Sequence, residues 1–272
     1  MAIDPTARVA DGARIAASVE IGPYCLVGPQ VELKDGVRLI GHVNVTGATS
    51  IGEETIVYPF SSLGTPPQSV HYRGGATRLV IGARCELREG VTMNTGTEDG
   101  GAITRVGDRC SFMVGCHVGH DCTVGDEVTF ANNVVLGGHV AVGDYTFLGG
   151  HVAIHQFVRI GEGAMMAGMS AARDDIIPFG FALGQTGALV GLNIVGLRRR
   201  GATRADMHRL RRAYRSLFFS EGQLAERIEV LAREFADAPL VGKIVAFVRA
   251  GGKRPLMRPR AKRDGADDDA EL

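Results

Sequence analysis

Between positions 106 and 172 every sixth residue is apolar: Val106, Phe112, Val118, Val124, Phe130, Leu136, Val142, Leu148, Ile154, Ile160 and Met166, with Ala172 closing the run. Glycine follows directly at Gly107, Gly119, Gly125, Gly137, Gly143, Gly149 and Gly161. Four places after each apolar residue stands a small or β-branched one, from Cys110, Cys116 and Cys122 to Ala164 and Ser170. A period of six fits neither the 3.6 of a helix nor the alternation of an ordinary strand. It is a hexapeptide repeat, the mark of a parallel β-helix. Each hexad forms one side of a coil, and three hexads close a triangular turn of about 18 residues.

The repeat begins at the N-terminus, where Ile3, Val9, Ile15 and Ile21 through Val57 and Leu63 hold the register. It breaks over residues 64–78 (GTPPQSVHYRGGATR), resumes at Ile81, Leu87 and Met93, and breaks again over 97–104 (TEDGGAIT). Counting in threes sends both loops from the face that carries Val118, Leu136 and Ile154. Insertions in a solenoid tend to map to its binding face. The repeat domain is expected over 1–178, followed by an irregular linking segment, 179–202. A helical domain is expected over 203–252. It opens on a Thr203–Asp206 capping pair, and Met207, Leu210, Ala213 and Leu217 supply its first apolar stripe. The charged stretch 253–272 is expected to be disordered.

Composition narrows the function. The 272 residues include 30 basic and 30 acidic side chains, a balance that argues against nucleic acid as a partner. The start, MAIDPTARVADG, lacks the basic and apolar regions of a signal peptide, and no apolar run approaches the ~18 residues of a membrane span. A cytoplasmic protein with no integral membrane segment is expected. The 38 glycines suit coils with a tight corner every six residues. All five cysteines fall in the fifth, inward place of their hexads, where cysteine acts as a small buried hydrophobe, so neither a metal nor a disulfide is expected.

Residues 18 apart stack on one face, about 4.8 Å from coil to coil. One column is Gly119, Gly137, His155; the next is His120, Gly138, Gln156; the third is Asp121, His139, Phe157. Asn94 and Thr95 lie one coil below His120, and His117 just before the corner; these places point outward, and Asn94 and His71 of the first loop are counted among the substrate-binding candidates. Four of the eight histidines thus gather beside the two loops. No G-x-S-x-G elbow is present, and Cys122 occupies an inward slot, so a covalent acyl-enzyme is not expected. Histidine, with an ordinary pKa of ~6.5, can take a proton from a hydroxyl near neutral pH, and a backbone N–H such as that of Gly138 can hold the resulting oxyanion. This describes direct acyl transfer from a thioester to an alcohol.

At these residues the chain resembles a known family. HVGHDCTVG (117–125), ANNVVLGGHVAVGD (131–144), GGHVAIHQFVRIG (149–161) and LNIVGLRRRG (192–201) are similar to the UDP-N-acetylglucosamine O-acyltransferases, the first enzymes of lipid A synthesis. The resemblance covers nearly the whole chain. It implies a left-handed β-helix with a C-terminal α-helical domain, and a homotrimer with active sites between subunits. It also implies 3-hydroxyacyl groups delivered by acyl carrier protein to the 3-hydroxyl of UDP-GlcNAc, with no cofactor of the enzyme's own. By matching position, His120 is the general base, Asp121 its orienting partner and Gly138 the oxyanion donor. His117, His139, His155 and Gln156 fall in the substrate pocket, and Asn193, Arg199 and Arg200 contact the nucleotide.

Gly150 and Gly168 stack in one column and leave a shallow channel; the resemblance implies that the acyl chain runs along it, and Met169 can narrow it. The open Gly168 favours a chain of roughly 12 to 14 carbons. An acidic carrier would dock on Arg204, Arg209, Arg211, Arg212 and Arg215. The chain departs from the pattern in two places: His71 stands where the family typically has lysine, and Asn94–Thr95 where some members have His-Arg. The second departure keeps a 3-amino sugar nucleotide open as the acceptor. The repeat is also compatible with a coenzyme A-dependent hexapeptide acetyltransferase, the later N-acyltransferase of the same pathway, a zinc-dependent γ-class carbonic anhydrase with three converging imidazoles, and a non-catalytic scaffold.

Overall fold

A computed structural model describes residues 2–260. Strands of mostly two residues stack into three sheets of 11, 9 and 8 strands, parallel except for the last strand of the first, one sheet for each side of a triangular coil. The first sheet holds Ser111–Phe112 and Thr129–Phe130, the second His117–Val118 and Val135–Leu136, the third Thr123–Val124 and Ala141–Val142. Register follows the repeat: Val118 pairs with Leu136, and Leu136 with Ile154. The apolar hexad positions point inward and are buried from Ile21 onward, while Ile3, Val9 and Ile15 at the open first coil keep some exposure; Phe112 and Phe130 meet edge to face in the interior. Each such side chain contributes roughly 1.5–3 kcal/mol relative to exposure. All five cysteines are free and buried in the same interior.

The glycines have a different reason from the one composition suggests. The left-handed corner positions are filled largely by other residues: Asp121, Glu127, Asn133, His139, Tyr145, His151, Phe157 and Met169 all have φ between +55° and +67°. The glycine after each apolar position instead lets the next coil approach. A Cβ on Gly161 would lie 2.2 Å from the Pro178 nitrogen, and one on Gly149 2.5 Å from that of Gly168.

The two loops leave the second sheet after Ser62–Thr65 and Thr92–Asn94 and return on the third at Arg78–Ile81 and Ile103–Val106. A single 3-10 turn, Glu98–Gly100, shapes the second.

Two segments depart from expectation. The stretch 179–202 is not irregular: Gly180–Leu183 and Ala188–Leu192 form an antiparallel hairpin that ends the first sheet, and α1 (Ile194–Arg199) follows. Residues 253–260 are ordered rather than disordered. They run across the last coils, bridging Asp175 at Leu256 and Leu189 at Pro259, with Met257 buried. The remainder of that expectation, 261–272, lies outside the described residues. Between these segments stand α2 (Arg204–Phe219), α3 (Leu224–Glu234) and α4 (Pro239–Arg249). Thr203 and Asp206 exchange backbone and side-chain bonds at the start of α2, satisfying its free N–H groups. Among the described residues no helix is long and apolar enough to cross a membrane.

Candidate active site

The corner between the second and third sheets carries the histidines. Asp121, His139 and Phe157 occupy its left-handed position in successive coils, each worth roughly 1–2 kcal/mol of backbone strain. The ladder between coils holds them: the His139 N–H donates to the His120 carbonyl at 2.9 Å, and the Phe157 N–H to that of Gly138 at 3.1 Å. The columns read from the 18-residue period are therefore columns in space.

His120 Nδ1 lies 2.8 Å from Asp121 Oδ2. The Asp121 side chain is fully buried, while that of His120 keeps 16% of its surface. Asp121 also accepts from the Thr97 N–H at 2.9 Å and the Thr97 hydroxyl at 2.6 Å, and its own N–H donates to Thr104 Oγ1 at 2.9 Å. A carboxylate fixed in this way holds the proton of His120 on Nδ1 and leaves Nε2 with its lone pair. Gly138 sits directly over that ring: a Cβ there would fall 2.5 Å from Cε1 and 2.6 Å from Nε2. Among the described residues the Gly138 N–H has no partner.

His139 meets His120 edge-on at 5.1 Å and stacks on Phe157 at 4.5 Å, with Nε2 3.7 Å from Asp121 Oδ2. Burial pushes its pKa below the usual histidine value. His117 bonds Thr92 Oγ1 through Nδ1 at 2.8 Å, and burial followed by the nearby His120 lowers its pKa as well. Both rings are thereby biased toward the neutral form.

The loops lock this corner. Glu98 accepts from the Gly75 N–H at 2.6 Å and the Arg73 N–H at 3.2 Å, tying the first loop to the second, and the adjacent Thr97 reaches Asp121. No repeat signal points to Thr97 or Glu98, which lie where the period is broken. Asn94 departs from the outward substrate contact expected of it. It is buried, and its Nδ2 donates to Thr65 Oγ1 at 2.9 Å and the Pro66 carbonyl at 3.0 Å, while its Oδ1 has no partner. His71 is exposed on the first loop.

His155 and Gln156 are exposed on the same corner and meet residues to which the periodicity does not point. Arg254 bonds His155 Nδ1 and the Gln156 carbonyl, and the Lys253 ammonium lies 4.1 Å from the centre of the Phe157 ring. Lys253 and Arg254 stand outside the repeat, so their charge is the only sequence signal that marks them.

The other expected site residues lie on the remaining corners. Gly150 and Gly168 form an open column between the first and second sheets, with Met169 exposed beside them. The Arg200 guanidinium lies over Tyr145 at 5.4 Å and Phe179 at 6.0 Å, between the third and first sheets. There it borders a cavity of about 570 Å³ with Glu162 and Lys243. Arg199 is exposed on α1. Asn193 is not available as expected: its Oδ1 caps α1 at the Gly196 N–H, 2.9 Å away, and its Nδ2 donates to the Gly163 carbonyl at 3.0 Å. One chain thus does not bring its own histidine corner, glycine column and arginines together.

Two further chemistries fit the site less well. Ligand atoms of His120, Asp121 and His139 lie within 4.8 Å of one another, a spacing a metal ion can use. Both Asp121 oxygens, however, already accept hydrogen bonds, and the set has two imidazoles rather than the three of a carbonic anhydrase. The Cys122 thiol points into the core, where burial pushes its pKa up to about 12, far from a nucleophilic thiolate.

Comparison with known proteins places the chain in a family. Residues 175–257 match the family model described as UDP-N-acetylglucosamine O-acyltransferase, domain 2, and residues 103–138 match the bacterial transferase hexapeptide repeat. The acyl-(acyl-carrier-protein)–UDP-N-acetylglucosamine O-acyltransferase of Azorhizobium caulinodans is 59% identical over 94% of this chain and 95% of its own. That of Rhizobium johnstonii is 47% identical over 97% of each. A crystal structure of UDP-N-acetylglucosamine acyltransferase superposes with a TM-score of 0.92 at 36% identity, covering 96% of this chain and all of its own. The enzyme of Campylobacter jejuni gives 0.89 at 36% identity, over 95% of this chain and 100% of its own. The coils form a left-handed parallel β-helix with a C-terminal helical domain. The chain is an acyltransferase and belongs to the acyl-(acyl-carrier-protein)–UDP-N-acetylglucosamine O-acyltransferase family.

Proposed function

We propose that this enzyme transfers a 3-hydroxyacyl group from acyl carrier protein to the 3-hydroxyl of UDP-GlcNAc, the first step of lipid A synthesis, in one direct displacement. His120 Nε2 takes the proton of the sugar hydroxyl as its oxygen attacks the thioester carbonyl. The negative charge moves to the carbonyl oxygen, where the Gly138 N–H receives it. Collapse breaks the C–S bond, and the proton on His120 passes to the departing thiolate of the carrier. Asp121 holds the ring in the required tautomer and stabilises the imidazolium.

The observation that carries this reading is the buried Asp121 carboxylate on His120 Nδ1, with Gly138, whose N–H has no partner among the described residues, directly over the ring. The reading needs no metal and no covalent acyl-enzyme, and it includes a cytoplasmic homotrimer. What supports the trimer is the division of site residues among three corners of the prism, which only neighbouring copies can unite. His117, His139, His155 and Gln156 line the acceptor side, Arg199 and Arg200 meet the nucleotide, and His71 enters from the first loop.

The test is an acyl-transfer assay with UDP-GlcNAc, its 3-amino analogue and a ladder of 3-hydroxyacyl carrier thioesters, with and without a chelator. The expected product is the 3-O-ester, formed equally well with chelator. Product from the 3-amino sugar alone, or from acetyl-coenzyme A alone, contradicts the reading.

A further inference from the structure

Residues 253–260 form a strap whose course is set by the last coil. The Asp175 N–H donates to the Pro255 carbonyl, and the Met257 N–H donates back to that of Asp175, both at 2.8 Å. Leu189 and residues 258–260 exchange a second pair at 3.0 Å. The buried Asp175 carboxylate is itself held by Arg159 Nε at 2.7 Å, and the strap passes over this pair through Gly252. A Cβ on Gly252 would lie 2.5 Å from both Arg159 Nε and Asp175 Oδ2, so only glycine allows the approach.

This anchoring delivers Lys253 and Arg254 to the histidine corner. Arg254 Nη2 lies 2.7 Å from His155 Nδ1, and Arg254 Nε donates to the Gln156 carbonyl at 3.1 Å. His155 Nδ1 and that carbonyl oxygen are only 3.2 Å apart. Two acceptors can stand this close because the guanidinium fork gives a donor to each. The Gln156 carbonyl would take a proton from Nδ1, but a guanidinium never accepts, so the shorter contact with Arg254 favours Nδ1 as the acceptor and the ring proton on Nε2. Lys253 covers the far face of Phe157, whose other face stacks on His139, and so closes the same stack from outside.

We infer that Arg254 is a positioning residue of the substrate site: it fixes His155 as an Nε2–H hydrogen-bond donor aimed at an oxygen of the acceptor sugar nucleotide. The inference rests on the acyl-transfer reading for its substrate, while the tautomer it assigns can be read without turnover. No donor other than Arg254 meets His155 Nδ1 among the described residues.

The test uses the full-length protein with 15N-labelled histidine, His155→Gln identifying the signal. The wild type is expected to show His155 as a single Nε2–H tautomer at pH 7.5. Arg254→Met should mix the tautomers and Arg254→Lys restore one. In turnover, Arg254→Met should raise KM for UDP-GlcNAc roughly tenfold with kcat nearly unchanged, as for one lost hydrogen bond. Adding it to His155→Gln should cost nothing further. An Nδ1–H tautomer in the wild type, a tautomer unchanged in Arg254→Met, or fully additive losses in the double variant would overturn the inference. If the wild type shows the expected tautomer but no acyl transfer, the positioning of His155 by Arg254 stands, and the acyl-transfer reading falls together with the substrate it supplied.

Discussion

Asp121 commits its whole carboxylate to Thr97 and His120 while having no solvent exposure. In the proposed mechanism that arrangement serves orientation and charge at once, since a base that becomes an imidazolium needs a fixed counter-charge. The neighbouring His117 and His139 play the opposite part, because burial holds both toward neutrality. Their folded pKa values lie below the unfolded ~6.5, so between the two values the unfolded chain binds more protons and unfolding becomes easier as pH falls. The stability they contribute is complete above pH ~6.5 and is lost as pH drops below it. Denaturant midpoints measured from about pH 7.5 to 5.5 should therefore fall, and His139→Phe, which keeps the stack on Phe157, should flatten that slope. An unchanged slope would show that His139 does not couple folding to protons. The histidine columns are legible in the sequence because an 18-residue period converts directly into distance. Thr97 and Arg254 are not, because each belongs to a segment with no period to count.

Elements behave similarly. The repeat determines which sheet each hexad joins, down to the shared exit of both loops from the second sheet. The hairpin at Gly180–Leu183 and Ala188–Leu192 stays hidden because an antiparallel cap only has to end a sheet and needs no six-residue pattern. On α2 the five arginines separate into two groups. Arg209 pairs with Asp237 and Arg212 with Glu234, holding the helices together. Arg204, Arg211 and Arg215 stay exposed at helical spacing along one face. An acidic carrier should find that face, so Arg211→Glu with Arg215→Glu is expected to weaken apparent affinity for the acylated carrier severalfold, most at low salt, while KM for the nucleotide holds. Unchanged carrier affinity would move the docking surface elsewhere. The acyl column makes a second element-scale prediction. Gly168 is exposed, and a Cβ there would have only the Gly150 backbone within 4 Å, at 3.1 Å for its oxygen. Gly168→Met should fill the groove and shift donor preference toward shorter chains, at about 0.8 kcal/mol per CH₂ no longer buried. Uniform loss over all lengths would mean that the coil, not the groove, was damaged.

At the scale of the molecule, the prism keeps its chemical groups apart. His120 lies between the second and third sheets, Gly168 between the first and second, and Arg200 between the third and first. Sequence matching names these residues, but their separation emerges only when the coil is closed. If neighbouring copies unite them, mixing His120→Ala with Arg200→Ala subunits should restore about a quarter of wild-type activity, because random assembly makes that share of intact sites. Mixtures no more active than the separate variants would place Arg200 at its own chain's site. The proposed mechanism turns on one proton transfer to His120, and the most direct measurement is the rate of 3-hydroxyacyl transfer from carrier protein to UDP-GlcNAc by His120→Ala beside the wild type. The account predicts a fall in kcat on the order of 10²–10⁴, with the melting temperature and subunit assembly unchanged. A folded His120→Ala enzyme that retains the wild-type rate would contradict it.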